Sequence, residues 1–145
     1  MPYALIADLV DRFELDELIQ ISNPNDPTAT AVNELKAQVA MDDAAALIDS
    51  KIGKRYTLPL ATVPRLLRNL CCDLARAYLY EDRITDRVKE RETAALKLLD
   101  EIRDGTLSLG LDEAGGPTQA EASVPRAEGA GRTFSNDLLS DYRGA

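Results

Sequence analysis

The chain has 145 residues, 45% of them hydrophobic and 29% charged, which suits one globular domain with a single core and excludes a disordered or fibrous protein. Its net charge is -8 and it has no histidine, the commonest general base and metal ligand, so we expect no enzyme, cofactor or metal site. The longest uncharged run, Tyr56 to Pro64, is far below the roughly 18 residues of a transmembrane helix, and no basic residue precedes Arg12, so we expect a cytosolic protein without a membrane span or signal peptide.

The segment from Tyr3 to Ile21 predicts one or two short helices. Apolar residues recur there at helical spacing with acidic residues between them: Leu5, Leu9, Phe13, Leu15, Leu18 and Ile19. The following residues, 22–28, combine Ser, Asn, Asp and Thr with two prolines, and such a cluster ends a helix. We therefore expect a break before the next helical region.

A longer helix is predicted from about Thr30 to Arg55, with two apolar stripes on roughly opposite faces. The first stripe is Val32, Leu35 and Val39, and the second is Met41, Ala45, Ile48 and Ile52. Either the helix breaks near Asp42, or one central helix packs against different neighbours along its length. Because neither Gly nor Pro interrupts the pattern before Gly53, we favour one central helix.

Two more helices are predicted after the proline-containing linker 56–64. The first runs from Pro64, which suits the first turn of a helix, to about Tyr80. The second follows Thr85, a good N-cap, and stops at Gly105, which readily adopts the left-handed conformation. Their apolar sides are Leu67, Leu70, Cys71, Leu74, Ala77 and Tyr78, and then Val88, Ala95, Leu98, Leu99 and Ile102.

The two cysteines, Cys71 and Cys72, are adjacent, so a disulfide between them would distort the helix. Two thiols without further Cys or His ligands cannot complete a tetrahedral zinc site. We interpret both as small buried apolar residues, and a vicinal redox pair as the less favoured alternative.

The character of the chain changes after Gly105. Residues 106–111 alternate polar and apolar side chains, which predicts a short strand or an extended arm. Residues 112–132 contain only Val124 as a bulky apolar side chain, and we expect them to be flexible in the isolated protein. The end regains apolar residues, so we divide the chain into a helical domain, 1–111, and a flexible arm, 112–145, whose end is either a docking segment or a disordered tail with incidental apolar residues. Those apolar residues are Phe134, Leu138, Leu139 and Tyr142.

Charge is distributed unevenly, with a net charge of -5 in residues 1–63, zero in 64–104 and -3 in 105–145. On the helix after Pro64, a basic stripe is formed by Arg65, Arg68 and Arg76, with Arg83 if the helix continues. The favoured interpretation of this stripe is a solvated face with weak salt bridges. The functional alternative is a surface that meets the acidic half of a neighbouring copy or DNA phosphates. The overall acidity argues against general nucleic-acid binding.

Among enzymes, the absence of phosphate-binding loops and of a serine-hydrolase elbow leaves a magnesium-dependent phosphohydrolase as the remaining hypothesis. Its carboxylates would be Glu81, Asp82, Asp86, Glu90, Glu92, Asp100, Glu101 and Asp104. These acids alternate with Lys and Arg, which is typical of a solvated, ion-paired helix face. We therefore disfavour the phosphohydrolase hypothesis. A small helical DNA-binding or regulatory module is the second alternative.

The order and spacing of short motifs resemble a family of small Mu-like phage and prophage virion proteins. The N-terminal motifs are Tyr3-Ala4, Asp8-Leu9, Arg12-Phe13 and Glu17-Leu18-Ile19-Gln20. The central ones are Ile48-Asp49-Ser50, Arg55-Tyr56, Leu58-Pro59-Leu60, Val63-Pro64, Cys72-Asp73-Leu74-Ala75-Arg76 and Leu79-Tyr80. The later ones are Asp86-Arg87-Val88-Lys89-Glu90-Arg91, Ala95-Leu96, Ser108-Leu109-Gly110-Leu111 and Arg132-Thr133-Phe134-Ser135 with Leu138. None of these motifs is catalytic, so the resemblance depends on their order and spacing.

The resemblance implies a head-to-tail joining protein, also called a neck or head-completion protein. Such proteins form a ring, which we expect to be a dodecamer in the virion, between the portal protein and a tail-side neck or stopper protein. DNA would pass through the channel without specific binding, and no membrane would be contacted. We expect an all-α fold, a compact bundle of about four to five helices with an extended C-terminal arm, assembled in the bacterial cytoplasm and located in the virion neck. The interface residues would be Arg65, Arg68, Arg76, Phe134, Leu138, Leu139 and Tyr142.

Overall fold

The computed structural model describes residues 2–80 and 84–111. Over these residues the protein is all-α, which confirms the predicted fold class. Its five helices are α1 (Ile6–Arg12), α2 (Leu15–Ser22), α3 (Glu34–Ile52), α4 (Arg65–Leu79) and α5 (Asp86–Asp104). The predicted arm, 112–145, lies outside the described residues.

Capping residues fix the ends of the long helices. The side chain of Asn33 accepts a hydrogen bond from the backbone N–H of Lys36 at the start of α3, and Thr85 accepts one from Val88 at the start of α5. Gly105 ends α5 with a φ of 84°, in the left-handed region where glycine carries no Cβ penalty. Thr85 and Gly105 therefore have their predicted roles. Pro64 is the N-cap of α4 and stands one position before the first turn in which it was expected.

The core lies between α3, α4 and α5, with the two short helices packed against α4 and α1 also against α3. α4 contributes its predicted apolar side except Tyr78, and α5 contributes its predicted apolar residues except Leu98; Tyr78 and Leu98 are only partly buried. The N-terminal segment is tied to α3 by a hydrogen bond from the buried Tyr3 hydroxyl to the Asp49 carboxylate. The fully buried large side chains include Leu9, Leu18, Ile48, Ile52, Leu67, Leu74, Leu99 and Ile102.

α3 is one continuous helix, as predicted, but its two stripes have different environments. The second stripe is buried against α4 and α5. In the first stripe, Leu35 is 81% exposed and Val39 is 59% exposed, and only Val32 packs against the core. The expectation that neighbours cover α3 on both faces is therefore wrong at Leu35 and Val39, because none of the described helices packs over this part of the face.

Residues 106–111 form an irregular segment that packs on the helical body. The N–H of Leu107 donates to the carbonyl of Glu101, and the N–H of Leu109 donates to the Tyr56 hydroxyl at 3.3 Å. Leu111 is buried at the end of this segment. The alternation of polar and apolar residues thus corresponds to side chains that alternately face the body and solvent.

Candidate assembly surface

Arg65, Arg68 and Arg76 of the predicted basic stripe lie on the side of α4 that faces away from the core. Leu67 and Leu74 hold the opposite side of α4 in the core, which fixes the rotation of the helix about its axis. The short helices α1 and α2 cover part of the arginine side. The arginines therefore have different environments along the helix.

Arg76 binds within its own chain. One oxygen of Glu17 on α2 accepts hydrogen bonds from Arg76 Nε at 2.9 Å, from Arg76 Nη2 at 2.5 Å and from the Tyr80 hydroxyl at 2.5 Å. The guanidinium also lies 4.4 Å from the centre of the Phe13 ring, within the range of a cation–π contact. The side chains of Arg76 and Glu17 are only 13% and 23% exposed. Arg76 therefore joins α4 to α2 and contributes little to the exposed surface.

A second set of ion pairs centres on Asp73 of α4. Its carboxylate accepts from Arg12 Nη2 of α1 at 2.9 Å and from Arg91 Nη1 of α5 at 3.5 Å. In the Arg76–Glu17 pair described above, burial and the hydrogen bond to Glu17 raise the pKa of Tyr80, so the Tyr80 phenol stays protonated beside this pair. These contacts use much of the charge on the outer side of α4 to hold the bundle together.

Among the described arginines of the stripe, Arg65 and Arg68 are exposed. They line a polar cleft between α1 and α4, together with Asp8, Asp11, Arg12, Asn69 and Cys72, which we name the α1–α4 cleft. Arg68 is 48% exposed and its Nη1 lies 3.8 Å from Asp8 Oδ1, a loose contact that a partner could replace. The cleft thus presents mixed charge to solvent. An interface role for Arg65, Arg68 and Arg76 stays a prediction.

An apolar groove, which we name the α3–α4 groove, lies near the other end of α4. It is formed by Leu35, Val39, Tyr78 and Leu79, with Ala40 beside them and Lys36 and Asp43 also lining it. Leu79 and Ala40 are buried and make its floor, whereas Leu35 and Val39 are exposed. The sequence signal for this groove is Leu35 and Val39 in the first stripe of α3, which periodicity alone predicts to be core. The predicted anchors Phe134, Leu138, Leu139 and Tyr142 lie outside the described residues, as does Arg83.

Comparison with known proteins identifies the family. The family model for Bacteriophage Mu, Gp36 matches residues 3–127. The chain belongs to this family. It is 37% identical over 140 residues to the Mu-like prophage FluMu protein gp36 of Haemophilus influenzae, and the match covers 97% of each chain. It is 31% identical over 112 residues to gene product J of Escherichia phage Mu, with 77% of this chain and 79% of the other covered. The predicted resemblance to Mu-like phage proteins is confirmed.

Both cysteines of this Gp36-family protein are unpaired and buried in α4, which confirms their interpretation as small buried residues. Burial raises the pKa of the Cys71 thiol to about 11 and that of the Cys72 thiol to about 12. Both thiols are therefore protonated near neutral pH, and a protonated thiol is a poor nucleophile and metal ligand.

We expect the stability of the protein to fall as the pH rises above 9. Unfolded thiols lose their protons near the ordinary pKa of 9.0, whereas the folded thiols lose theirs only near 11 and 12, so alkaline pH favours the unfolded state. Urea unfolding followed by circular dichroism should give a constant midpoint from pH 7 to 8 and a falling midpoint between pH 9 and 10.

The matched control for this prediction is Cys71→Ala combined with Cys72→Ala. In this variant the urea midpoint should fall less steeply between pH 9 and 10. The raised pKa values of Tyr3, Tyr78 and Tyr80 start from an ordinary value of 10.0, so these tyrosines affect stability mainly at higher pH. An equally steep fall in the variant would contradict an origin in the thiols.

Two acidic residues in the last two turns of α5, Asp100 and Asp104, are paired with basic neighbours. Asp100 lies 2.7 Å from Lys51 Nζ and 2.9 Å from Arg103 Nη1, and these groups lower the pKa of its carboxyl. Within residues 2–80 and 84–111, no group of three or more His, Cys, Asp or Glu side chains is arranged to hold a metal ion. Glu81 and Asp82 lie outside these ranges. No helix in the described part of the chain is long and apolar enough to cross a membrane.

Proposed function

We propose that this Gp36-family protein is a structural virion protein, a head–tail connector that assembles as a ring below the portal protein and joins the DNA-filled head to the tail. The observation that supports this most directly is the pair of chemically different exposed surfaces on one small helical body. The α1–α4 cleft is polar and carries both charges, and the α3–α4 groove is apolar. Membership in a phage protein family adds independent support.

Two different surfaces are what a ring of identical subunits needs. In a head-to-tail ring, each copy contacts the next through unlike patches, and the ring closes when the rotation between copies is right. Arg68 in the cleft and Tyr78 beside the groove are separated by about 15 Å along α4, given a rise of about 1.5 Å per residue. One copy can therefore use both surfaces at once.

In this proposal the chain contacts other copies of itself in a ring of twelve in the virion. The ring contacts the portal protein on one side and a tail-side neck or stopper protein on the other. The arm, 112–145, contributes docking contacts through its terminal apolar residues. With a net charge of -8, the chain repels DNA phosphates, which suits DNA that passes through a channel without specific binding. The protein would be incorporated at the virion neck after assembly in the bacterial cytoplasm.

The test is head–tail joining in a phage that lacks this protein. We expect the defective phage to accumulate DNA-filled heads and separate complete tails, and the purified protein to join them in vitro, as counted by electron microscopy and by recovered infectivity. Empty heads, or joining that proceeds equally well without the protein, would contradict the proposal. Magnesium-dependent nucleotide turnover or salt-dependent binding to duplex DNA would favour the enzyme or the DNA-binding alternative instead.

The cleft has its own prediction within this assay. Arg65→Glu combined with Arg68→Glu should reduce joining by about tenfold or more, because reversing charge at an interface places like charges together. The matched control is Arg87→Glu with Lys89→Glu, an equal change of charge at exposed positions of α5. Equal joining by the two variants would contradict an interface role for the cleft and would favour the interpretation of Arg65 and Arg68 as a solvated face.

A further inference from the structure

The α3–α4 groove is unusual because it exposes two large apolar side chains one helical turn apart. Leu35 and Val39 protrude beside Tyr78, above a floor formed by buried Leu79 and Ala40. Isolated exposed apolar residues are ordinary, but adjacent ones beside a groove mark a binding surface. Residues four apart on a helix form one row, which is how a groove receives the apolar side of a second helix.

The chain itself carries a sequence that matches such a groove. Apart from Val124, the bulky apolar residues beyond Leu111 are Phe134, Leu138, Leu139 and Tyr142. At about 100° per residue, these four positions fall within an arc of about 140°, which is the apolar side of an amphipathic helix. Their spacing of four, five and eight residues from the first is close to the anchor pattern of peptides that bind grooves as helices.

The length of the arm allows this segment to reach a groove. Leu109 donates to the Tyr56 hydroxyl, which places the start of the arm beside the C-terminal end of α3, whereas the groove lies along its N-terminal half. These two places are about 25 Å apart at the helical rise of about 1.5 Å per residue. The residues between Leu111 and Phe134 span a similar distance as a random coil, about 25 Å, and about 75 Å when extended.

We propose that the α3–α4 groove of one copy receives residues 134–142 of a neighbouring copy. This inference rests on the proposed ring and names the contact that links successive copies. A neighbouring copy supplies the segment because a head-to-tail ring needs two unlike patches on each chain, and the groove and the segment are such a pair. Phe134, Leu138 and Tyr142 pack on the groove, and burial of these large side chains supplies the energy of the contact.

With this contact, each copy in the ring places its arm on the body of the next copy. The body surfaces bring two copies together, and the tether then holds the segment of one copy at a high effective concentration near the groove of the next. Ordering of the segment costs conformational entropy, so the contact between separate copies in solution is weaker than the same contact within the ring.

Two full-length variants test this proposal when they are mixed. Leu35→Asp with Val39→Asp removes the groove, and Phe134→Asp with Leu138→Asp removes the segment. Each variant alone should self-associate at least about tenfold more weakly than the unaltered chain. Their mixture should form a one-to-one heterodimer, because one intact segment and one intact groove remain. Native mass spectrometry and analytical ultracentrifugation measure both results.

Controls separate this contact from general stickiness. Leu15→Asp, at a half-exposed apolar position on α2, and Val124→Asp, in the arm, should self-associate like the unaltered chain. Circular dichroism should show the same helical content for all variants, since each altered position is solvent-exposed or lies beyond Leu111. A mixture without heterodimers, or a groove variant that associates as well as Leu15→Asp, would overturn the proposal.

The result is independent of the test of the proposed function. The heterodimer needs only the purified chain, whereas joining needs heads and tails. A protein that joins heads to tails without forming the heterodimer would refute the arm contact alone. A heterodimer from a protein that does not join them would refute the connector role alone.

Discussion

Replacing Arg76 with alanine is expected to lower the free energy of unfolding by about 2–4 kcal/mol, although Arg76 lies on the outer side of α4 and carries a charge. The side chain is only 13% exposed, and its partner Glu17 is 23% exposed. Removal of the guanidinium leaves the Glu17 carboxylate with Tyr80 as its remaining hydrogen-bond donor among the contacts described above, and it removes the contact with Phe13. Urea unfolding followed by circular dichroism measures the loss.

The matched control is Arg65→Ala in the same helix. Arg65 is exposed, so its replacement should change the free energy of unfolding by no more than about 0.5 kcal/mol. Equal effects of the two substitutions would contradict the internal role of Arg76. The expected difference also determines how the basic stripe is tested, because a variant that includes Arg76→Ala would weaken assembly through loss of folding.

Truncation after Leu111 is expected to reduce head–tail joining by about 100-fold or more while the helical body stays folded. Several apolar anchors are lost together, and a 100-fold change corresponds to about 2.7 kcal/mol, which one or two interface hot spots supply. Leu107, Leu109 and Leu111 remain in place on the body, so circular dichroism should show unchanged helical structure.

A chain that ends at Tyr142 is the control for this truncation, because it loses residues 143–145 and keeps every proposed anchor. It should join heads to tails as well as the full chain. Unchanged joining by the chain that ends at Leu111 would show that the arm has no part in assembly, and its terminal apolar residues would then be incidental.

The features that the sequence predicted correctly depend on local chemistry. Thr85 and Gly105 bound α5 because capping and left-handed backbone are properties of single residues. The burial of Cys71 followed from its place in the apolar stripe of α4, and that of Cys72 from the apolar character of a free cysteine. The continuity of α3 followed from the absence of a helix breaker before Gly53.

The features that could not be predicted depend on which helix packs on which. Arg76 and Glu17 are 59 residues apart, so their contact is decided by the packing of α2 on α4 and has no local signal. The same holds for Leu35 and Val39, which form an apolar stripe that a core helix would also have. Sequence periodicity shows that a face is apolar, and only the tertiary arrangement shows whether the chain covers it.

The central claim is that this chain forms a closed ring that docks on a portal protein. Native mass spectrometry of the purified chain over a concentration series, alone and then with its cognate portal protein, tests this most directly. We expect a closed ring of defined copy number in at least the sample with the portal protein. A chain that stays monomeric at every concentration and does not bind the portal protein would contradict the claim.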